Sequence, residues 1–149
     1  ISNPIRAQYK TYLQAKGVHP VSNTETFFSF ALSPLWSKHK KVVTFSSGKG
    51  VSAKIAGSDV IISNGTDVLT INFSGNERIE MNGKMWWKKD PKQDAYICVL
   101  ASMLFNDKAA FVSESEIYAS WAITEKVKSI LVKQPLLTYS LGSDTVPAC

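Results

Sequence analysis

Two cysteines, Cys98 inside an apolar run and Cys149 as the final residue, carry the clearest covalent chemistry of this sequence. A chain end costs little to leave loose, so a cysteine there reads as a tie, and we expect one disulfide joining Cys98 to Cys149. Cysteine used in this way belongs to an oxidising compartment. Closing a loop of about 50 residues would stabilise the fold by roughly 4 kcal/mol in the chain-entropy picture. The rival role, a Cys98 nucleophile working with a histidine, needs a thiol that is poised and partly open. The neighbours of Cys98 are apolar instead, so the expected location is extracytoplasmic and the expected role of the pair is structural.

Other reactive side chains do not assemble into a catalytic pattern. His19 precedes a proline and His39 sits in a lysine cluster, and neither has the spacing of a metal site. Gly48-Lys49-Gly50 lacks the longer glycine-bounded loop ending in Lys-Ser or Lys-Thr that cradles phosphate, and reads as a hairpin turn. Asp90, Asp94, Glu114 and Glu116 fall where helices would begin, and the helix dipole explains negative charge there. We therefore expect no catalytic residues, no metal and no cofactor.

A surface for binding is easier to find. Trp86 and Trp87 are adjacent, so on a strand one indole would enter the core and the other would face outward beside Lys88 and Lys89. Lys38, Lys40, Lys41, Lys49 and Lys54 follow one another with no acid between them, whereas Glu114, Glu116 and Glu125 gather later. We take Trp86, Trp87, Lys38, Lys40 and Lys41 as the candidate interaction surface. The tripeptides Asn64-Gly65-Thr66 and Asn72-Phe73-Ser74 match the N-glycosylation pattern, but Asn64 already has a reason to exist as a turn residue.

The elements that must position these residues follow from local signals. Asn3-Pro4 opens a helix in type, and Ile5, Tyr9, Tyr12 and Leu13 recur at helical spacing before Gly17, predicting an N-terminal helix over 4–16. Ser22 and Glu25 could cap a second short helix ahead of Phe27, Phe28 and Phe30. From 42 to 88, the runs Val42 to Phe45, Val51 to Ile55, Asp59 to Ser63, Val68 to Phe73, Arg78 to Met81 and Lys84 to Trp87 alternate with Gly and Asn-Gly turns. That pattern predicts an antiparallel β-meander. Leu69, Ile71 and Phe73 line an apolar face, which needs a cover of helix, and Val68, Thr70 and Asn72 the opposite one.

The remainder, 90–149, reads as a disulfide-bounded helical region with a final strand. Asp90-Pro91 with Gln93 opens a helix by the capping-box device, and Ala95 to Phe105 is apolar nearly all round, the mark of a buried helix. Ser113 with Glu116 caps another, ended by Pro135, and Leu136 to Leu141 reads as the last strand. The fold class expected is α+β: an antiparallel meander packed against helices, with an N-terminal helix and one C-terminal disulfide.

The 149 residues make one domain by length, 1–149, and 44% hydrophobic with 19% charged residues is the balance of an ordinary globule. No run approaches the roughly 18 apolar residues of a membrane span. The first residue is Ile1 rather than methionine, so we expect a processed product whose exporting or anchoring segment lies upstream.

The strand Met85-Trp86-Trp87, the helix segment Gln93-Asp94-Ala95-Tyr96-Ile97-Cys98-Val99-Leu100-Ala101 and the terminal Cys149 together resemble the disulfide-bounded region of type IV pilins, especially the type IVb class. The resemblance implies an N-terminal helix acting as the end of a filament stem, packed on an antiparallel sheet. It also implies a non-enzymatic structural or initiating subunit of a bacterial surface filament. The partners expected are other filament subunits or a membrane-bound protein. Membrane contact is expected only through a segment outside this sequence, and nucleic acid is not the expected partner. The rival functions are a periplasmic sensor or accessory domain, and a secreted basic toxin or nucleic-acid binder using the lysine stripe.

Overall fold

A computed structural model describes residues 1–33, 41–52, 57–73, 77–90 and 95–145. Its centre is one eight-stranded sheet in the order β7-β6-β5-β4-β3-β2-β1-β8. The strands are β1 (Ser2–Tyr9), β2 (Phe27–Leu32), β3 (Val42–Gly48), β4 (Gly57–Ser63), β5 (Val68–Asn72), β6 (Arg78–Met81), β7 (Lys84–Lys88) and β8 (Leu136–Tyr139). All neighbours run antiparallel except β1 and β8, which are parallel and make the sheet mixed. Two α-helices, α1 (Ala95–Leu104) and α2 (Glu114–Leu131), lie in the connection from β7 to β8.

Turn chemistry accounts for the meander. Between β6 and β7, Asn82 and Gly83 both adopt positive φ, 52° and 74°, as a two-residue hairpin requires. The Asn82 amide also joins two turns: its Oδ1 accepts from Val68 N–H at 2.8 Å, and its Nδ2 donates to Asp67 at 3.1 Å. The Asn64 amide donates to the same carboxylate. These two amides, Asn82 foremost, hold the Asp67 carboxyl below the usual range.

The N-terminal helix expected over 4–16 is replaced by β1 and a single 3-10 turn at Tyr12–Gln14. Ile5, Ala7 and Tyr9 form a period-two set that packs with Phe27, Tyr139 and Leu137, and Ala7 is fully buried. Pairing with β2 on one side and β8 on the other outweighs a helical spacing that counts only one face. Pro4 is tolerated because the β1–β2 register shifts between Ser2 and Ile5, where Asn3 takes a φ of 49°. The short helix expected around Phe27 to Phe30 is likewise a strand, β2. Ser22 instead closes a local turn by accepting from Thr24 N–H, and Glu25 pairs with Arg6 at 3.8 Å.

The expected disulfide is not found among the described residues, where Cys98 stands exposed on α1; Cys149 lies outside them. Ala95 to Leu104 is helical as predicted, yet it is exposed rather than buried, because it projects beside the 3-10 turn Lys108–Ala110 and not over the sheet. The strand expected over Val51 to Ile55 reduces to one bridge from Val51 to Ser143, with 53–56 outside the described residues. The cap expected at Pro91 to Gln93 is also outside them. At α2 the prediction and the structure agree. The Ser113 hydroxyl accepts from Glu116 N–H, and the Glu116 carboxylate accepts from Ser113 N–H at 2.8 Å.

Two packed regions hold the sheet. On one face, Ala7, Phe27 and Tyr139 pack with Ile5, Tyr9, Val51 and Leu137. On the other, Phe30 packs with Val127 and Leu131 of α2.

Candidate binding face

Strand register determines which side chains share the α2 face. Phe30 pairs with Phe45, Phe45 with Val60, Val60 with Ile71 and Ile71 with Ile79, and Ile79 pairs with Trp87. Because side chains alternate along a strand, Ile62, Leu69 and Met81 fall on this same face. The result is an apolar strip from β2 to β7. The opposite face of its distal half is polar: Asn72 donates to Asp59 at 2.6 Å, and Arg78 pairs with Glu80 at 2.7 Å.

α2 covers the strip unevenly. Val127 and Leu131, in its last two turns, are buried against Phe30, while Ile117, Tyr118 and Trp121 in its first turns are exposed. Between α2 and β2–β4 an open groove of about 470 Å³ is floored by Phe28, Phe30, Phe45 and Val60 and walled by Ile123 and Val127. The rings of Phe28 and Phe30 stack 6.1 Å apart and those of Phe30 and Phe45 5.2 Å apart, so the floor is a stack of aromatic rings. A Ser47–Ser58 hydroxyl pair at 2.8 Å lies at its polar end. Across β5–β7 the strip is half-buried at Leu69, Ile71, Ile79 and Met81 and exposed at Trp87, and no described helix is a close backbone neighbour of these strands.

The sequence-predicted site residues distribute as follows. Trp86 and Trp87 are both exposed, by 72% and 48%, so neither indole enters the core. Ile79 pairs with Trp87 and Glu80 with Met85, which makes Trp86 the extra residue of a bulge and explains why the two are not a simple in-and-out pair. Lys41 is half-buried at the start of β3, and Lys38 and Lys40 lie outside the described residues. His19 is exposed and accepts from Val21 N–H in a local turn. Among the described residues no group of three His, Cys, Asp or Glu is placed to hold a metal, and no helix is long and apolar enough to cross a membrane.

Sequence reasoning missed the groove itself. The signal was present in Phe28, Phe30 and Leu32, which alternate along β2, but it becomes a site only through pairing with β3 and cover from α2. Compared with known proteins, the chain matches no family model, no curated protein and no solved structure.

Proposed function

We propose that the chain is a non-enzymatic association subunit whose work is to bury apolar surface against other protein, as a structural component of a surface filament. The observation that supports this is α1. Its sequence AYICVLASML carries no charge, and a helix apolar all round persists in water only when something covers it. Ile97, Leu100, Met103 and Leu104 are nonetheless exposed, Leu104 by 84%. Trp86 and Trp87 on β7 are exposed as well, and exposed apolar surface of this kind marks interaction sites.

The filament form of this reading rests on the β7 and α1 part of the pilin resemblance, since the stem helix is a strand and no disulfide is found among the described residues. Light scattering over a concentration series tests association, and electron microscopy of the concentrated protein tests the fibre form. Growth of mass with concentration is expected. A single monomeric mass at every concentration, without added partner, overturns the reading.

A further inference from the structure

The edge and the face of the distal sheet make different offers to a partner. β7 is an edge strand, and it carries Lys84 and Lys88 at its ends and the bulged Trp86 between them. Lysines and bulges are the devices by which an edge refuses another strand. The adjoining face is apolar instead: Leu69, Ile71, Ile79 and Met81, half-buried, and Trp87, exposed, form its strip, and no described helix is among the close backbone neighbours of β5, β6 or β7.

The chain's own α1 sits elsewhere, held at its C-terminal end where Asp107 N–H donates to the Ser102 carbonyl at 2.8 Å beside the Lys108–Ala110 turn. One chain thus carries an exposed apolar helix and an apolar face without a helix, the two halves of one contact. Two copies related by a two-fold axis satisfy both halves at once. We propose that α1 of each copy lies on the β5–β7 face of a second copy, with Ile97, Leu100 and Leu104, which share one side of the helix, meeting Ile71, Ile79 and Trp87. This names the contact of the association reading above and rests on that reading, not on its filament form, because a two-fold pair closes on itself.

The size of the contact is adequate. A buried aromatic side chain removes about 150 to 250 Å² from water and a buried aliphatic one on the order of 60 to 120 Å². Ile71 and Ile79 are already half-buried, so the new burial comes chiefly from Ile97, Leu100, Leu104 and Trp87, and doubled by the two-fold axis it is on the order of 1,000 Å², near the lower limit of a specific interface.

The test is a complementation experiment with the full chain. Leu100→Glu damages the helix and Ile79→Glu damages the face, with Ile97→Glu and Ile79→Thr as second variants if either first choice fails to fold by circular dichroism. We expect a dimeric wild type by light scattering, and each variant alone to raise the dimer dissociation constant at least about 30-fold. An equimolar mixture of one helix variant and one face variant regains dimer, because a mixed pair retains one intact contact. A mixture that stays monomeric overturns the exchange. A wild type that associates but ignores both substitutions overturns this seat and leaves the association reading standing. A monomeric wild type overturns both readings, and slow hydrogen exchange along α1 would then identify the chain's own helix as the cover.

Discussion

The hydroxyl groups of Tyr139 and Thr26 meet at 2.7 Å although 113 residues separate them in the chain. Donor counting fixes the direction of this contact. The single proton of the Tyr139 hydroxyl goes to the Lys49 carbonyl, so Thr26 donates to Tyr139 Oη while its own oxygen accepts from Tyr9 N–H at 3.0 Å. One phenol therefore ties β8 to the segments beginning β2 and ending β3. Tyr139→Phe keeps the ring contacts with Tyr9 and Phe27 but leaves the Lys49 carbonyl and the buried Thr26 hydroxyl short of a partner. The expected cost is about 1 to 3 kcal/mol in chemical denaturation, with little change in the m-value.

The same phenol sets an alkaline limit. Burial, ahead of the neighbouring Tyr9, raises its pKa above the usual 10.0, while the Thr26 contact pulls the other way. Below pH 10 folded and unfolded chains both keep the proton and the contribution is constant. Above it the unfolded chain releases its proton first, so stability falls as pH rises toward the folded value. Absorbance titration should find one of the five tyrosines ionising after the rest. Part of the alkaline loss of stability should vanish in Tyr139→Phe.

Elements specified by neighbours in sequence were legible. Asn82-Gly83 implies its hairpin, and Ser113 with Glu116 implies the start of α2, because each signal and its partner lie within a few residues. β1 was not legible: its partners β2 and β8 are far along the chain, and Ile5 and Tyr9 suit a helix spacing and a strand spacing alike. The composition of α1 makes it apolar but does not bury it, since composition says that a cover is needed and not which surface provides it. The groove was illegible for a related reason. Phe30 and Val127 meet only after β2 has paired with β3 and α2 has returned across them.

The capping box at α2 gives a local prediction. Ser113→Ala removes the acceptor for Glu116 N–H and the donor to its carboxylate at 2.6 Å. Loss of about 1 kcal/mol is expected in thermal unfolding followed by helix ellipticity. The Ser113 side chain, then its backbone N–H, holds the Glu116 carboxyl below its ordinary value of 4.5. Its contribution is therefore present above pH 4.5 and lost as pH falls through the folded value, and that acid-side loss should shrink in the Ala variant.

Gly50 and Gly17 separate two causes of strain. Both adopt positive φ, 66° and 85°, where a side chain is disfavoured. Around Gly17 the space is open, so Gly17→Ala meets only the backbone penalty, on the order of 1 kcal/mol. At Gly50 an added Cβ would lie 2.8 Å from Tyr9 Cδ1 and 2.9 Å from Leu141 Cδ1. Tyr9 has little room to yield, since its ring sits edge-on against Tyr12 and Tyr139 at 5.4 and 6.2 Å. Gly50→Ala should therefore cost about 2 to 4 kcal/mol, clearly more than Gly17→Ala. Equal losses in paired denaturation curves would mean that Tyr9 moves freely, and that the packing of β1 against β8 is looser than the buried Ala7 and Tyr139 imply.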